Sequence, residues 1–256
     1  MKFILDVDTG PIEVLSIGPD SAETVVFLHH GFGTVDSMGA VMDAFAQQRP
    51  DLRLVSYSRP GCGRTPVRKV GKALDYLHVE AQQVLPEFLT GMALGPVHLV
   101  GHSDGGSISL IAAATRPELV RSVTAIAPHS MIEDQTLAGL RDLATMRDNI
   151  VFRTALARRH DNVTEAFDAW LDLWLSPQMI TWSILDLLGD IKCPLGLIQG
   201  TDDAFGTTAQ VDVVVKAVAP SRLKAQLVSG ATHDLYKDYP DQVLKMWQSI
   251  QHLPHA

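Results

Sequence analysis

The chain has 256 residues, of which 46% are hydrophobic and 20% are charged, and its formal net charge is −8. The length suits one large α/β domain, or a core domain with a lid, and the composition is that of an ordinary globular protein. The negative charge disfavours binding to a nucleic-acid backbone or an anionic membrane surface. It predicts a small-molecule ligand that is not strongly anionic.

Cys62 and Cys193 are too few for a disulfide framework or a thiolate metal site. The N-terminal segment carries Asp6 and Asp8 and lacks the apolar stretch of a signal peptide. No segment approaches the roughly eighteen unbroken apolar residues of a membrane span. We therefore expect a cytoplasmic protein without a membrane partner, and the spacing of its histidines predicts no metal site.

The predicted elements alternate between strand and helix along most of the chain. Two β-rich segments, 3–8 and 12–17, predict an opening hairpin. Continuous apolar runs predict strands buried on both faces of a parallel sheet, and helical periodicity predicts the helices between them. The strands are 24–28, 52–57, 97–100, 123–127, 195–199 and 223–228, and the helices are 38–48, 72–90 with a kink at Pro86, 107–115 and 210–218. This alternation implies a mostly parallel sheet covered on both faces.

The alternation stops between His129 and Asp190, where no convincing strand occurs. Helical periodicity instead covers 137–143, 151–157 and 167–175. We predict a helical lid at 129–190, inserted after the sixth strand. The core domain would then consist of residues 1–128 and 191–256.

The segment Gly101–Gly106 contains the pattern G-x-S-x-G between a predicted strand and a predicted helix. A serine on a sharp strand-to-helix turn has its hydroxyl exposed at the top of the sheet, and the glycines give the turn room. The first N–H groups of the helix have no intrahelical partner. Ser103 is therefore the predicted nucleophile. The N–H of Asp104 is a predicted oxyanion donor, and we expect the Asp104 carboxylate to point away from the oxyanion.

A glycine-bracketed turn, residues 29–33, follows the strand 24–28. Such a turn can aim a second backbone N–H at the same oxyanion, because it lies at the C-terminal edge of the sheet. We assign this role to the N–H of Phe32, with that of Gly33 as the alternative.

Two loops near the C-terminus supply an acid and a base. Asp202 and Asp203 follow the strand 195–199, and one carboxylate there can orient a histidine and stabilise its cation. His233 follows the last predicted strand and can take the serine proton and return it to the leaving group. The order serine, acid, histidine is that of α/β-hydrolases, and differs from that of the chymotrypsin and subtilisin types.

The chain resembles the α/β-hydrolase superfamily, specifically its lid-bearing esterase, haloperoxidase-like and C–C bond hydrolase branch. The motifs that carry the resemblance are 30–33, 57–64, 101–106, 200–203 and His233, which span nearly the whole chain. The resemblance implies a doubly wound α/β fold, a triad of Ser103, Asp203 and His233, and no cofactor. Family spacing from Gly200 favours Asp203 over Asp202. Ser103 excludes the haloalkane dehalogenases, which use aspartate, and Thr232 stands where relatives commonly carry glycine.

Four residues are candidates for substrate contact: His30 and His129 from core turns, and Trp170 and Trp174 from the lid. The alternative is a structural role, in loop hydrogen bonding for His30 and in packing for the tryptophans. Since three of the four tryptophans lie in the lid, an apolar or aromatic substrate is favoured. The first half of the lid is basic, through Arg141, Arg147, Arg153, Arg158 and Arg159. We interpret these arginines as a solvated face, with the binding of a substrate carboxylate as the alternative.

These observations predict a serine hydrolase that cleaves a small carboxylic ester, lactone or thioester through an acyl-enzyme. The first alternative is a C–C bond hydrolase of ring-cleavage products with the same triad. The second, from another class, is a catalytically silent ligand receptor on the same fold, which an intact triad disfavours. The predicted partner is a small-molecule substrate, and assembly into a homo-oligomer stays open.

Overall fold

The computed structural model describes residues 1–20, 23–67 and 74–255. Its centre is an eight-stranded sheet with the spatial order β1-β2-β4-β3-β5-β6-β7-β8. The strands are β1 (Lys2–Val7), β2 (Gly10–Ile17), β3 (Thr24–Leu28), β4 (Arg53–Tyr57), β5 (Val97–His102), β6 (Val120–Ile126), β7 (Leu195–Gly200) and β8 (Leu223–Val228). β2 pairs antiparallel with β1 and β4, and all other neighbours are parallel. The predicted hairpin and mostly parallel sheet are confirmed.

Helices cover both faces of this sheet. They are α1 (Gly39–Gln48), α2 (Tyr76–Val79), α3 (Leu85–Gly91), α4 (Asp104–Thr115), α5 (Asp134–Ala144), α6 (Ile150–Ala157), α7 (Ala169–Trp174), α8 (Ala209–Ala217), α9 (Leu235–Asp238) and α10 (Pro240–Ile250). Successive side chains of a strand point to opposite faces. In β3, Val25 and Phe27 join the cluster under α1 and α10, while Val26 and Leu28 join the cluster under the helices of the other face. None of the described helices has the length and apolar character needed to cross a membrane.

The segment 72–90 was predicted as one helix with a kink at Pro86, but its described part consists of two helices joined by a π-helical turn. Its predicted start, Lys72, lies outside the described residues. Between α2 and α3 the chain makes a π-helical turn, Glu80–Val84, just before Pro86. Proline has no N–H to donate to the carbonyl four residues earlier. The carbonyl of Gln82 accepts a hydrogen bond from Arg116 instead, at 3.1 Å. The missing N–H therefore explains both the irregular turn and the external donor.

The helix α10 has no counterpart among the predicted elements. Its apolar residues Val243, Leu244, Trp247 and Ile250 are all buried against the sheet. Their spacing is that of one helical face, and Pro240 occupies the first turn, where proline is well tolerated. The signal is thus present in the sequence.

The chain between β6 and β7 is helical, as predicted, and contains α5, α6, a π-helical turn (Thr164–Asp168) and α7. Its two ends lie side by side: Met131 and Ser183 form an antiparallel bridge, and the Ile184 N–H donates to the Ser130 carbonyl at 2.9 Å. These contacts make the segment a loop that leaves and rejoins the core at one place. Its treatment as a separate lid at 129–190 stays a prediction.

Candidate active site

The turn that carries Ser103 joins β5 to α4. Ser103 has φ +55° and ψ −120°, a conformation that is strained for a residue with a side chain. A Cβ atom on Gly101 would lie 2.1 Å from the Gly105 carbonyl oxygen, and one on Gly105 would lie 2.1 Å from the Leu28 carbonyl oxygen. Both glycines are therefore required for the close approach of strand and helix. The Ser103 side chain faces a cavity.

His233 lies in the loop after β8 and is bound to Asp203 in the loop after β7. Its Nδ1 lies 2.9 Å from each carboxylate oxygen of Asp203. Oδ1 of Asp203 also accepts from the Phe205 N–H at 2.8 Å. Burial acts to raise the pKa of Asp203, but the hydrogen bond and charge of His233 outweigh it, so the pKa lies below its ordinary value. Asp203 is thus suited to stay ionised beside the imidazole.

The loops after β7 and β8 approach each other closely enough to make this contact. A Cβ atom on Gly200 would lie 2.0 Å from the Ala231 carbonyl oxygen. Asp202, by contrast, is exposed, and its side chain accepts a hydrogen bond from Thr201 at 3.0 Å. The acid that contacts His233 is therefore Asp203.

Ser103 and His233 line the same cavity. Across the described residues, no hydrogen bond joins the Ser103 hydroxyl to His233. Because Asp203 binds Nδ1, the nitrogen that remains for proton transfer is Nε2. Hydrogen bonds between nucleophile and base are often long in enzymes without substrate and tighten in the substrate complex.

Neither the backbone N–H of Phe32 nor that of Asp104 donates a hydrogen bond within 1–20, 23–67 and 74–255. The alternative donor, Gly33, is already used, because its N–H donates to the His30 carbonyl at 3.1 Å. The same carbonyl accepts from His29 Nδ1 at 2.6 Å. The structure therefore leaves the Phe32 N–H, and not that of Gly33, as the available donor in this turn.

The Asp104 carboxylate is turned into a buried cluster. It accepts from Arg59 Nη2 at 3.1 Å, the Tyr76 hydroxyl at 2.5 Å and Trp170 Nε1 at 3.1 Å. Asp104 is 1% exposed and Arg59 2% exposed, so this is a buried ion pair. Arg59 therefore offsets the negative charge that Asp104 places beside the nucleophile.

Arg59 and Tyr76 are functional residues to which the sequence alone gave no role. Arg59 lies in the motif 57–64, directly after an apolar strand, and an arginine in such a place is seldom buried without a partner. The partner itself, however, lies 45 residues away in the chain. Local sequence patterns carry no information on a pairing of that kind.

The four predicted substrate contacts, His30, His129, Trp170 and Trp174, all line the cavity, which has a volume of about 500 Å³. Their polar atoms are largely engaged: Trp174 Nε1 donates to the Tyr76 hydroxyl at 2.7 Å, and His129 Nε2 lies 3.2 Å from the Phe205 carbonyl. The rings therefore offer mainly apolar faces to a ligand. Among the described side chains, no group of three or more His, Cys, Asp or Glu could hold a metal ion.

A model of the alpha/beta hydrolase fold matches residues 24–189. The chain belongs to this family. A monoglyceride lipase of Rattus norvegicus is 27% identical over 164 residues, which are 57% of this chain and 54% of that protein. Serine hydrolase BPHL of Mus musculus is 25% identical over 197 residues, which are 75% of this chain and 64% of that protein. The match therefore spans between half and two thirds of the length of these relatives.

The solved structure of a His-tagged serine hydrolase involved in carbazole degradation has a TM-score of 0.76 to this chain. The two chains are 17% identical, and the superposition covers 98% of each. At this identity the likeness shows the fold. The predicted α/β-hydrolase fold, with its doubly wound and mostly parallel sheet, is thereby confirmed.

Two of the five arginines in the predicted lid, Arg147 and Arg153, pair with acids of the same segment. Arg153 Nη1 lies 2.8 Å from Asp168, and Arg147 pairs with Asp168 and Asp172. Arg141 and Arg158 are exposed. Arg159 is the one member of the predicted set among the residues that line the cavity. The solvated-face interpretation therefore fits four of the five positions.

Several histidines surround the site: His29, His102 and His129 are buried, and His30 is half-buried. Burial lowers the pKa of His30 to about 3, and it holds the pKa values of His29 and His102 well below the ordinary 6.5. The contacts agree for His29, because its Nε2 accepts from the Arg59 N–H at 3.0 Å and so carries no proton. These side chains are neutral in the folded protein at mildly acidic pH.

We expect the protein to lose stability steeply between pH 7 and pH 5. In the unfolded chain each of His29, His30 and His102 takes up a proton near pH 6.5, while in the folded chain it stays neutral. The unfolded state thus binds more protons as pH falls, which costs about 2 kcal/mol of unfolding free energy for each histidine over this range. Urea unfolding at the two pH values measures the loss.

A matched pair of variants tests the cause of this pH dependence. His102→Gln should reduce the loss by about 2 kcal/mol, because one of the neutral histidines is gone. His252→Gln should leave the loss unchanged, because His252 is exposed. Equal pH dependence in His102→Gln and the wild type would contradict the assignment of the effect to buried neutral histidines.

Proposed function

We propose that this protein is a serine hydrolase that cleaves a carboxylic ester, lactone or thioester through an acyl-enzyme. One observation carries the proposal: Ser103 on its strained turn, and His233 held by Asp203, line one cavity with two unpaired backbone N–H groups at its side. These are the parts that acyl transfer requires, namely a nucleophile, a base with an orienting acid, and oxyanion donors.

In this mechanism Nε2 of His233 takes the proton of Ser103 as the hydroxyl oxygen attacks the carbonyl carbon. The negative charge on the carbonyl oxygen is stabilised by the N–H groups of Phe32 and Asp104. The imidazolium, stabilised by Asp203, then gives its proton to the leaving alcohol or thiol as the C–O or C–S bond breaks. Water, deprotonated by His233, hydrolyses the acyl-enzyme and regenerates Ser103.

The cavity wall supports an apolar acyl or alcohol group as the main recognition element. Aliphatic and aromatic side chains dominate the wall, among them Leu140, Leu143, Phe152, Trp174 and Phe205. A volume of about 500 Å³ lies in the range of sites for small organic ligands. We therefore propose a small-molecule partner with an apolar or aromatic body. The two relatives, a monoglyceride lipase and a serine hydrolase, support the same class of reaction.

Arg159 favours a second candidate, the hydrolysis of a C–C bond in an acidic ring-cleavage product. It lines the cavity, and a guanidinium group can bind a substrate carboxylate in a bidentate manner. We prefer ester cleavage because the other lid arginines are paired with acids or exposed. Of the five lid arginines, Arg159 alone lines the cavity and could bind the carboxylate of an acidic substrate.

Active-site labelling tests the proposal. A biotinylated fluorophosphonate should label the purified protein at Ser103, as mapped by peptide mass spectrometry, because only a serine activated by its base reacts readily with this probe. A silent ligand receptor would not be labelled. Initial rates with p-nitrophenyl butyrate, p-nitrophenyl octanoate and a catechol ring-fission product then rank the substrates. Faster turnover of the ring-fission product would select the C–C hydrolase.

A further inference from the structure

A single nitrogen atom, Nη2 of Arg59, connects the two turns that flank Ser103. It donates to the His30 carbonyl at 2.8 Å and lies 3.2 Å from the Gly31 carbonyl in the turn after β3. It also donates to the Asp104 carboxylate at the start of α4, at 3.1 Å. Arg59 itself follows β4 and is 2% exposed. Three segments that are distant in sequence therefore meet at one buried cation.

The contact with Gly31 bears directly on the direction of the Phe32 N–H. The Gly31 carbonyl and the Phe32 N–H belong to the same planar trans peptide group, so the two bonds point in opposite directions. When the carbonyl points at Arg59, the N–H must point away from Arg59. The second contact, to the His30 carbonyl, fixes the preceding peptide group in the same way.

The contact between Arg59 and the Asp104 carboxylate affects the second proposed oxyanion donor, the Asp104 N–H. The carboxylate of Asp104 lies on the same residue as the N–H that we assign to the oxyanion hole, and an unpaired carboxylate there would repel a developing oxyanion. Arg59 offsets this charge and draws the carboxylate to its own side. Burial acts to lower the pKa of Arg59, but Asp104 and Glu80 raise it above its ordinary value, so the guanidinium stays charged.

We propose that Arg59 is a positioning residue that assembles the oxyanion hole, by orienting the Phe32 N–H through the Gly31 carbonyl and by neutralising the carboxylate of Asp104. The proposal rests on the proposed function. Arg59 is not among the residues that line the cavity, so we expect it to act on the stability of the tetrahedral intermediate and not on substrate contact. Removal of Arg59 should lower kcat and leave ground-state binding nearly unchanged.

The experiment compares Arg59→Met and Arg59→Lys with the wild type on p-nitrophenyl butyrate. Loss of one oxyanion donor typically lowers kcat by about 10²-fold or more, and we expect a loss of this size in Arg59→Met with KM within about threefold. The affinity for an alkyl trifluoromethyl ketone, which forms a tetrahedral adduct with the serine, should fall by the same factor. Inhibition by the product butyrate should not change. Arg59→Lys keeps the charge and should recover part of kcat.

Loss of a buried charge can also unfold the protein, so Arg59→Met/Asp104→Asn serves as a second variant. It removes both members of the ion pair and should melt closer to the wild type than Arg59→Met does. Its kcat should stay low, because the Gly31 carbonyl still lacks its contact with Arg59 Nη2. A folded Arg59 variant with wild-type kcat, or with equal losses of ketone and butyrate affinity, would overturn the proposal. A wild type that neither turns over esters nor reacts with fluorophosphonate would instead refute the proposed function.

Discussion

Ser103→Ala is expected to lower kcat for p-nitrophenyl esters by about 10⁵-fold or more, because alanine has no hydroxyl group to form the acyl-enzyme. The residual rate would come from the oxyanion donors and substrate binding alone. The fold should be retained, since within the described residues the Ser103 hydroxyl makes no hydrogen bond that its removal would break. Steady-state kinetics and thermal melting measure the two effects.

The control for this substitution is Ser221→Ala, which removes an exposed hydroxyl far from the cavity and should leave kcat unchanged. The strained backbone provides an independent check. Alanine at φ +55° retains the strain of the native serine, whereas glycine adopts this conformation at little cost. Ser103→Gly should therefore be more stable than Ser103→Ala by about 1 kcal/mol. Wild-type turnover by Ser103→Ala would remove the nucleophile from the proposed mechanism.

The positions of Ser103, Asp203 and His233 were predictable because each follows a recognisable strand. Parallel strands end at one edge of the sheet, so loops distant in sequence converge there. The pairing of His233 with Asp203 also followed from family spacing, and the exposed position of Asp202 agrees with it. The strand pattern and the chain order of Ser103, Asp203 and His233 therefore indicated where these three residues lie in the fold.

The buried cluster around Asp104 was not predictable in the same way. Its members Arg59, Tyr76 and Trp170 come from a strand end, a helix and the segment between β6 and β7. Each residue has an ordinary local context, and only the folded chain brings their polar atoms together. The expectation that the Asp104 carboxylate turns away from the oxyanion rested on charge repulsion, whereas its actual partners depend on long-range packing.

The irregular turn before Pro86 shows a different limit. Proline predicts that a hydrogen bond is missing, but the chain can respond with a kink, a break or a π-helical turn. Here Arg116 supplies the missing donor to Gln82, which keeps the helix path continuous. The choice among these responses depends on a neighbouring helix end, so it cannot be derived from the local sequence.

Asp203→Asn is expected to lower kcat by about 10⁴-fold, while Asp202→Asn should change it by less than about threefold. Asparagine can present its N–H₂ group to Nδ1 of His233, which favours the tautomer with the proton on Nε2. In that tautomer Nε2 cannot accept the proton of Ser103. The two substitutions remove the same charge from adjacent positions, so long-range electrostatic effects are nearly matched.

The difference between the two variants therefore isolates the contact between Asp203 and His233, which is 2.9 Å to each carboxylate oxygen. The acyl-enzyme mechanism requires this contact in both steps, since His233 must be an acceptor when Ser103 or water attacks and a donor when the leaving group departs. Burst and steady-state kinetics on p-nitrophenyl butyrate should thus show both acylation and deacylation slowed in Asp203→Asn. A larger loss in Asp202→Asn than in Asp203→Asn would assign the acid to the exposed neighbour.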